Sequence, residues 1–158
     1  MESPRQTSPA TYIVSLVLLA TTGWSVSVAC TCACLPVPRP AAAFKEAAVV
    51  FSGRVLRMRD EPPIEHGDTV IIGPGGVIVE LEVFKTWKGA PSTQVVLNAG
   101  TPGCCGFPFR VGRKYLVYAS ASTDLSTNAC GRTALLRKAG TDVQFLQSLV
   151  SSTTGTVH

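Results

Sequence analysis

Cys30, Cys32 and Cys34 stand at alternate positions, Cys104 and Cys105 are adjacent, and Cys130 follows alone. Thiols in this arrangement have three chemistries open to them. Three cysteines at alternate positions suit a soft metal ion. A vicinal pair can cycle between dithiol and disulfide, although Cys104-Cys105 lacks the Cys-x-x-Cys spacing of common redox motifs. An even number of cysteines in a short exported chain reads as a set of covalent staples. The compartment decides among these, because an oxidising environment favours bridges over thiolates.

The N-terminus points to export. Met1 to Thr11 is polar, Tyr12 to Ala20 is an apolar run, and Ser27-Val28-Ala29 places small residues where a signal peptidase reads them. Residues 1–29 are therefore expected to be a cleaved signal peptide, which makes Cys30 the mature N-terminus and leaves all the cysteines in the exported part. Thr21, Thr22 and Gly23 interrupt the apolar run before it reaches the about 20 residues a spanning helix needs. No membrane association is expected after cleavage, and the protein is expected to be secreted, with periplasm or cell envelope as the alternative. A lipoprotein is a further alternative, since Ala29 precedes Cys30, but Ser27 stands where such signals usually carry leucine. Acylation there would block both the thiol and the amine.

Other chemistries find little support. The net charge of +4 comes from scattered basic residues without aromatic interleaving, so no nucleic-acid partner is expected. Gly73-Pro74-Gly75-Gly76 reads as a turn, because no Lys-Ser/Thr follows to hold phosphate. His66 and His158 lack a matching ligand cluster, and no Ser-His-Asp, Cys-His or paired-carboxylate arrangement stands out. The chain is not read as an enzyme, and no cofactor or metal of its own is expected.

The elements that position the cysteines can be read in order. Pro36 and Pro38 hold residues 30–39 extended. Pro40 opens a short helix through Ala48, with Phe44, Ala47 and Ala48 on its apolar face. Val49 to Arg59 is a strand whose alternation slips near Leu56, which suggests a bulge or strong coiling at Gly53. Asp60 to Asp68 reads as a loop, and Thr69 to Ile72 and Val77 to Trp87 as strands. In the longer one Val77, Val79, Leu81 and Val83 alternate with Ile78, Glu80, Glu82 and Phe84. Thr93 to Asn98 and Tyr115 to Ala119 are further strands, and Leu125 to Leu136 a fifth passing through Cys130. Asp142 to Val150 has helical spacing, with Thr141 or Asp142 as its cap. Residues 30–150 form one domain, and 151–158 a disordered tail. About five strands with flanking helices suit an all-β fold built on a five-stranded barrel of the oligonucleotide/oligosaccharide-binding (OB) type, stapled by disulfides.

Taken together, these pieces resemble a known family. Cys30-Thr31-Cys32 at a mature N-terminus resembles the start of the tissue inhibitors of metalloproteinases, whose barrel is shared with netrin-like domains. Val49-Val50-Phe51-Ser52-Gly53, Cys105-Gly106-Phe107 and then Cys130 follow in order, and Cys130-Gly131-Arg132-Thr133 is similar to the short prokaryotic-type members. Trp87-Lys88-Gly89 and Gly112 with Tyr115-Leu116-Val117-Tyr118-Ala119 are similar to the short, single-domain prokaryotic-type members.

The resemblance implies Cys30 paired with Cys105 (or Cys104) and Cys32 with Cys130, which leaves Cys34 to the remaining vicinal cysteine, Cys104. It also implies a function, inhibition of a zinc metalloendopeptidase by a monomeric protein. The α-amine and carbonyl oxygen of Cys30 would chelate the partner's catalytic zinc and displace its water. An α-amine titrates at about 7.7–8.0, so it yields its proton to zinc far more readily than a lysine does. Thr31 would enter the specificity pocket, Cys32 and Ala33 would lie along the cleft, and Thr101, Pro102 and Gly103 would form a flanking ridge. The alternative is a non-inhibitory secreted binding or structural module of the same fold, possessing Cys30 only as a staple.

Overall fold

The computed structural model describes residues 32–61, 64–66, 69–71, 76–89, 92–121 and 124–154. The extended segment 32–39 leads into helix α1 (Pro40–Glu46), which Pro40 starts because its missing N–H would have no partner in the first turn. Lys88 Nζ donates to the carbonyl oxygens of Phe44 and Lys45 at 2.8 and 2.9 Å, placing a cation at the helix C-terminus. Strand β1 (Val49–Asp60) follows, then a small hairpin of β2 (Ile64–His66) and β3 (Thr69–Ile71). The stretch expected to be a loop over Asp60–Asp68 thus contains a strand, and His66 pairs with Thr69 in its register.

Strands β4 (Val77–Lys88), β5 (Gln94–Asn98), β6 (Lys114–Ala121) and β7 (Leu125–Ser126) complete a barrel in the order β1-β4-β5-β7-β6, closed by antiparallel β1–β6 pairing. The fold is thus all-β with flanking helices, built on a closed five-stranded barrel. Strand β8 (Ala134–Leu135) adds to β6 outside the ring. The single strand expected over Leu125–Leu136 is in fact β7 and β8, parted by a turn that contains Cys130. Asn128 forces the break: its side-chain oxygen accepts the Cys130 N–H at 2.9 Å, a local bond that competes with strand pairing.

Two hydrophobic layers explain the pattern along the strands. Phe51, Val55, Val79, Leu81, Leu97, Phe109, Tyr115 and Val117 fill the barrel interior. Val50, Leu116 and Tyr118 face outward and pack with Ala43, Ala47 and Leu146 under the helices. Strand β6 is buried on both faces, which is why Tyr115 to Ala119 is an unbroken apolar run. In β4 the outward face is wet, and its Glu82 and Glu80 meet Arg54 at 2.7 Å and Arg57 at 2.5 Å.

The slip in β1 is real, with register shifts between Ser52 and Gly53 and between Val55 and Arg57 against β4. At Gly53 a Cβ would come within 2.6 Å of the Glu82 backbone oxygen. Only glycine lets β1 coil across β4 at this point. Gly53→Ala is therefore expected to cost about 1–3 kcal/mol in denaturant unfolding, through forced separation of the two strands.

Helix α2 (Gly140–Thr154) begins earlier and ends later than its spacing suggests, covering part of the tail expected to be disordered. Its own Leu146 is fully buried against the barrel. Asp142 lies inside the first turn and does not cap it; its carboxylate serves the ion pair described below.

Candidate functional site

The N-terminal segment is a strap laid across one end of the barrel. Its prolines keep it extended, and its side chains at Leu35 and Val37 are 85% and 55% exposed. Two disulfides fasten it, Cys32–Cys105 and Cys34–Cys130, with Cα separations of 5.2 and 5.1 Å. Cys104 is also disulfide-bonded, and none of the described cysteines is free.

This pairing corrects the one the resemblance implied. Cys105 is taken by Cys32, not Cys30, and Cys130 by Cys34, not Cys32; Cys34 is therefore not available to Cys104. The reason lies in the loops that receive the strap. The Ala129 N–H donates to the Cys105 carbonyl oxygen at 2.8 Å, and Gly106 bridges Asn128, so the two receiving cysteines are held side by side. Cysteines two residues apart on an extended strap, about 7 Å of chain, reach one receiving loop each. The register is thus displaced by one Cys-x-Cys step.

The first bridge brings Cys32 and Ala33 to the turn that carries Thr101, Pro102 and Gly103. The Thr101 carbonyl oxygen accepts the N–H groups of Cys104 at 3.2 Å and Gly106 at 3.0 Å, which curls the turn outward. Gly103 sits at its tip with φ +78°, a conformation that other residues adopt only with strain. Pro102 and Gly103 are exposed, whereas Thr101 is half-buried. The Cys32–Cys105 bond thus places the strap beside the turn over residues 101–104. Cys30 and Thr31 lie outside the described residues.

A second anchor was not legible in the sequence. Arg132 donates through Nε and Nη2 to the two carboxylate oxygens of Asp142 at 2.6 and 2.5 Å, and through Nη1 to the Pro38 carbonyl oxygen at 2.7 Å. Tyr118 donates its hydroxyl to Asp142 Oδ1 at 2.9 Å. One guanidinium thus ties the strap, helix α2 and the barrel wall together. Burial pushes the Asp142 carboxyl up, but the bonds from Arg132 and Tyr118 outweigh it, and its pKa lies below the ordinary value. Burial and then the Asp142 carboxylate push the Tyr118 phenol well above its usual range. The bond to Asp142 raises the Arg132 guanidinium further. The only sequence signal was an arginine after a turn and an aspartate early in a helix, and nothing in that spacing pairs them.

Between strap and barrel runs a groove of about 570 Å³, lined by Pro36, Ala47, Tyr118, Thr127 and the Cys34–Cys130 bridge among others. Among the described residues no helix is long and apolar enough to cross a membrane. Compared with known proteins, the chain matches no family model and no curated protein.

Proposed function

We propose that the protein is an exported inhibitor of a zinc metalloendopeptidase, acting through the amine and carbonyl oxygen of a mature N-terminal Cys30. The observation that supports this reading is the twice-stapled, outward-facing strap beside the exposed turn at Pro102 and Gly103. A segment already fixed in extended form resembles a bound substrate backbone and loses little freedom on docking. Cys104 is bonded, and the other described cysteines pair among themselves, so pairing with Cys30 is part of this proposal. That bond would hold the terminal amine at the ridge. In this reading Thr31 fills the specificity pocket, Cys32 and Ala33 follow the cleft, and Thr101, Pro102 and Gly103 flank it.

One observation favours a second reading, a non-inhibitory module that binds through the same rim. The stapled Cys-x-Cys is Cys32-Ala33-Cys34, so two residues of the expected mature chain precede it.

Intact mass and N-terminal sequencing of the exported protein, followed by assay against a panel of zinc endopeptidases, separate the two. The inhibitor reading expects an unacylated chain starting at Cys30 that inhibits at least one enzyme. Inserting one alanine before Cys30 should then abolish inhibition and leave the Tm unchanged. An acylated or different N-terminus, or inhibition that survives the insertion, rejects it.

A further inference from the structure

The strap groove meets strand β6 at Tyr118 and Ser120, and a second concavity lies at the opposite end of that strand. Its volume is about 480 Å³, and it is lined by Gly112, Arg113, Lys114, Leu135, Leu136 and Arg137. Arg137 is far in sequence from Arg113 and Lys114, and the pairing of β6 with β8 brings them to one site. None of the three cations is in an ion pair among the described residues. All three are exposed, and the two leucines are half-buried. We infer that this pocket binds a single-chain anionic amphiphile, with its head on Arg113 and Arg137 and its hydrocarbon chain along Leu135 and Leu136.

The donor set selects the ligand. Guanidinium and ammonium groups donate hydrogen bonds and cannot accept them, and the leucines and Gly112 add no polar side chain. A peptide or a sugar would bring N–H or O–H donors that find no side-chain acceptor here. A carboxylate or phosphate head brings acceptors alone, and a guanidinium engages it through two parallel bonds. The leucines then call for a hydrocarbon portion, and the volume is in the range of small-molecule sites. Lys114 has the lesser part, because its Nζ lies 5.1 Å from the Phe84 ring centroid and shares its charge with that face.

Both walls are fixed before any ligand arrives. The Gly112 N–H donates to the Val55 carbonyl oxygen at 2.8 Å, and the Val55 N–H donates to the Arg113 carbonyl oxygen at 3.0 Å. The turn that carries Arg113 is thus fastened to β1. On the other side Leu135 pairs with Tyr115. The Ala139 N–H then closes a single 3-10 turn over Leu136–Lys138 by donating to the Leu136 carbonyl oxygen at 3.2 Å. Backbone that is already ordered has little freedom to lose on binding. The site lies at the other end of β6 from the strap, and this inference does not depend on inhibition.

The test uses the exported, oxidised chain and decanoate below its micelle concentration, followed by isothermal titration calorimetry. Decanoate is expected to bind at one equivalent, and affinity should rise about fourfold for every two carbons from hexanoate to decanoate. Acetate, which has the head alone, and decyltrimethylammonium, which has the opposite charge, should not bind. Arg113→Gln and Arg137→Gln should each weaken decanoate binding about three- to fivefold and leave the Tm unchanged. Lys45→Gln, which removes an exposed cation elsewhere, should not weaken it. In the wild-type chain the methyl NMR signals of Leu135 and Leu136 should shift in proportion to occupancy, a readout that needs no variant to fold. Affinity that ignores chain length, equal binding of the cationic amphiphile, or shifts confined to the strap groove overturns the inference. Binding only to vesicles of an anionic phospholipid also overturns it, since the patch would then be a membrane contact and not a pocket for one chain.

Discussion

Replacing Cys34 and Cys130 together with serine should lower stability by about 4–5 kcal/mol, the largest loss expected from any change at the strap. The bond closes a sequence separation of 96 residues, so its removal frees a long loop in the unfolded chain. In thermal unfolding the loss should appear as a fall in Tm of roughly 15–25 °C. The Cys32–Cys105 bond closes 73 residues, and its double serine variant should lose only slightly less, because loop entropy grows with the logarithm of length. Both cysteines must be changed at once. A lone Cys130 thiol would sit 3.5 Å from the Cys32 sulfur, where thiol–disulfide exchange would scramble the comparison. A loss under about 1 kcal/mol would mean that the native bond is offset by strain, or that the unfolded chain is compact without it.

The second large effect belongs to Asp142. Its side chain is 9% exposed and that of Arg132 is 19%, so Asp142→Asn leaves a nearly buried guanidinium without its counter-charge. The expected cost is about 3 kcal/mol, the lower end for breaking a buried pair, because Arg132 keeps some solvent. The pH dependence gives a signature that simple loss of packing lacks. The Asp142 pKa is lower in the folded state than its ordinary 3.8, so its contribution is complete above that value. It is lost as pH falls through the folded pKa. The gap between wild type and Asp142→Asn in urea unfolding should therefore narrow below about pH 4. The sign reverses at Tyr118, whose folded pKa is raised from 10.0. Its contribution is complete below that value and lost above it, so Tyr118→Phe should flatten the alkaline fall in stability. A wild-type/Asp142→Asn gap that stays constant from pH 3 to 7 would show that the carboxylate charge plays no part.

How much of this was legible depends on where the information resides. Strand β4 was readable because one of its faces is wet, which leaves Glu80 and Glu82 to mark the alternation. The coiling of β1 was readable because Gly53 breaks the phase at a position where the β4 backbone leaves no room for a Cβ. The split at Cys130 was hidden, since a single Asn128 side chain decides it through a bond to its own neighbourhood. The disulfide register was hidden for a different reason. It is set by the contact between Ala129 and Cys105, a juxtaposition of loops that no local pattern encodes. The same holds for Arg132, whose three partners are Pro38 on the strap, Asp142 on α2 and, through that carboxylate, Tyr118 on β6. Periodicity reports which face of an element is buried and carries no record of which elements meet.

The order in which the bridges can form also follows from the strap. A chain made from its N-terminus presents Cys32 and Cys34 first, yet their partners, 73 and 96 residues downstream, arrive last. During that wait Cys30, Cys32 and Cys34 have only one another as near neighbours in sequence. Maturation in an oxidising compartment should thus pass through a mispaired intermediate, and its pace should be set by an isomerase that reshuffles bonds, not by the oxidant that makes them.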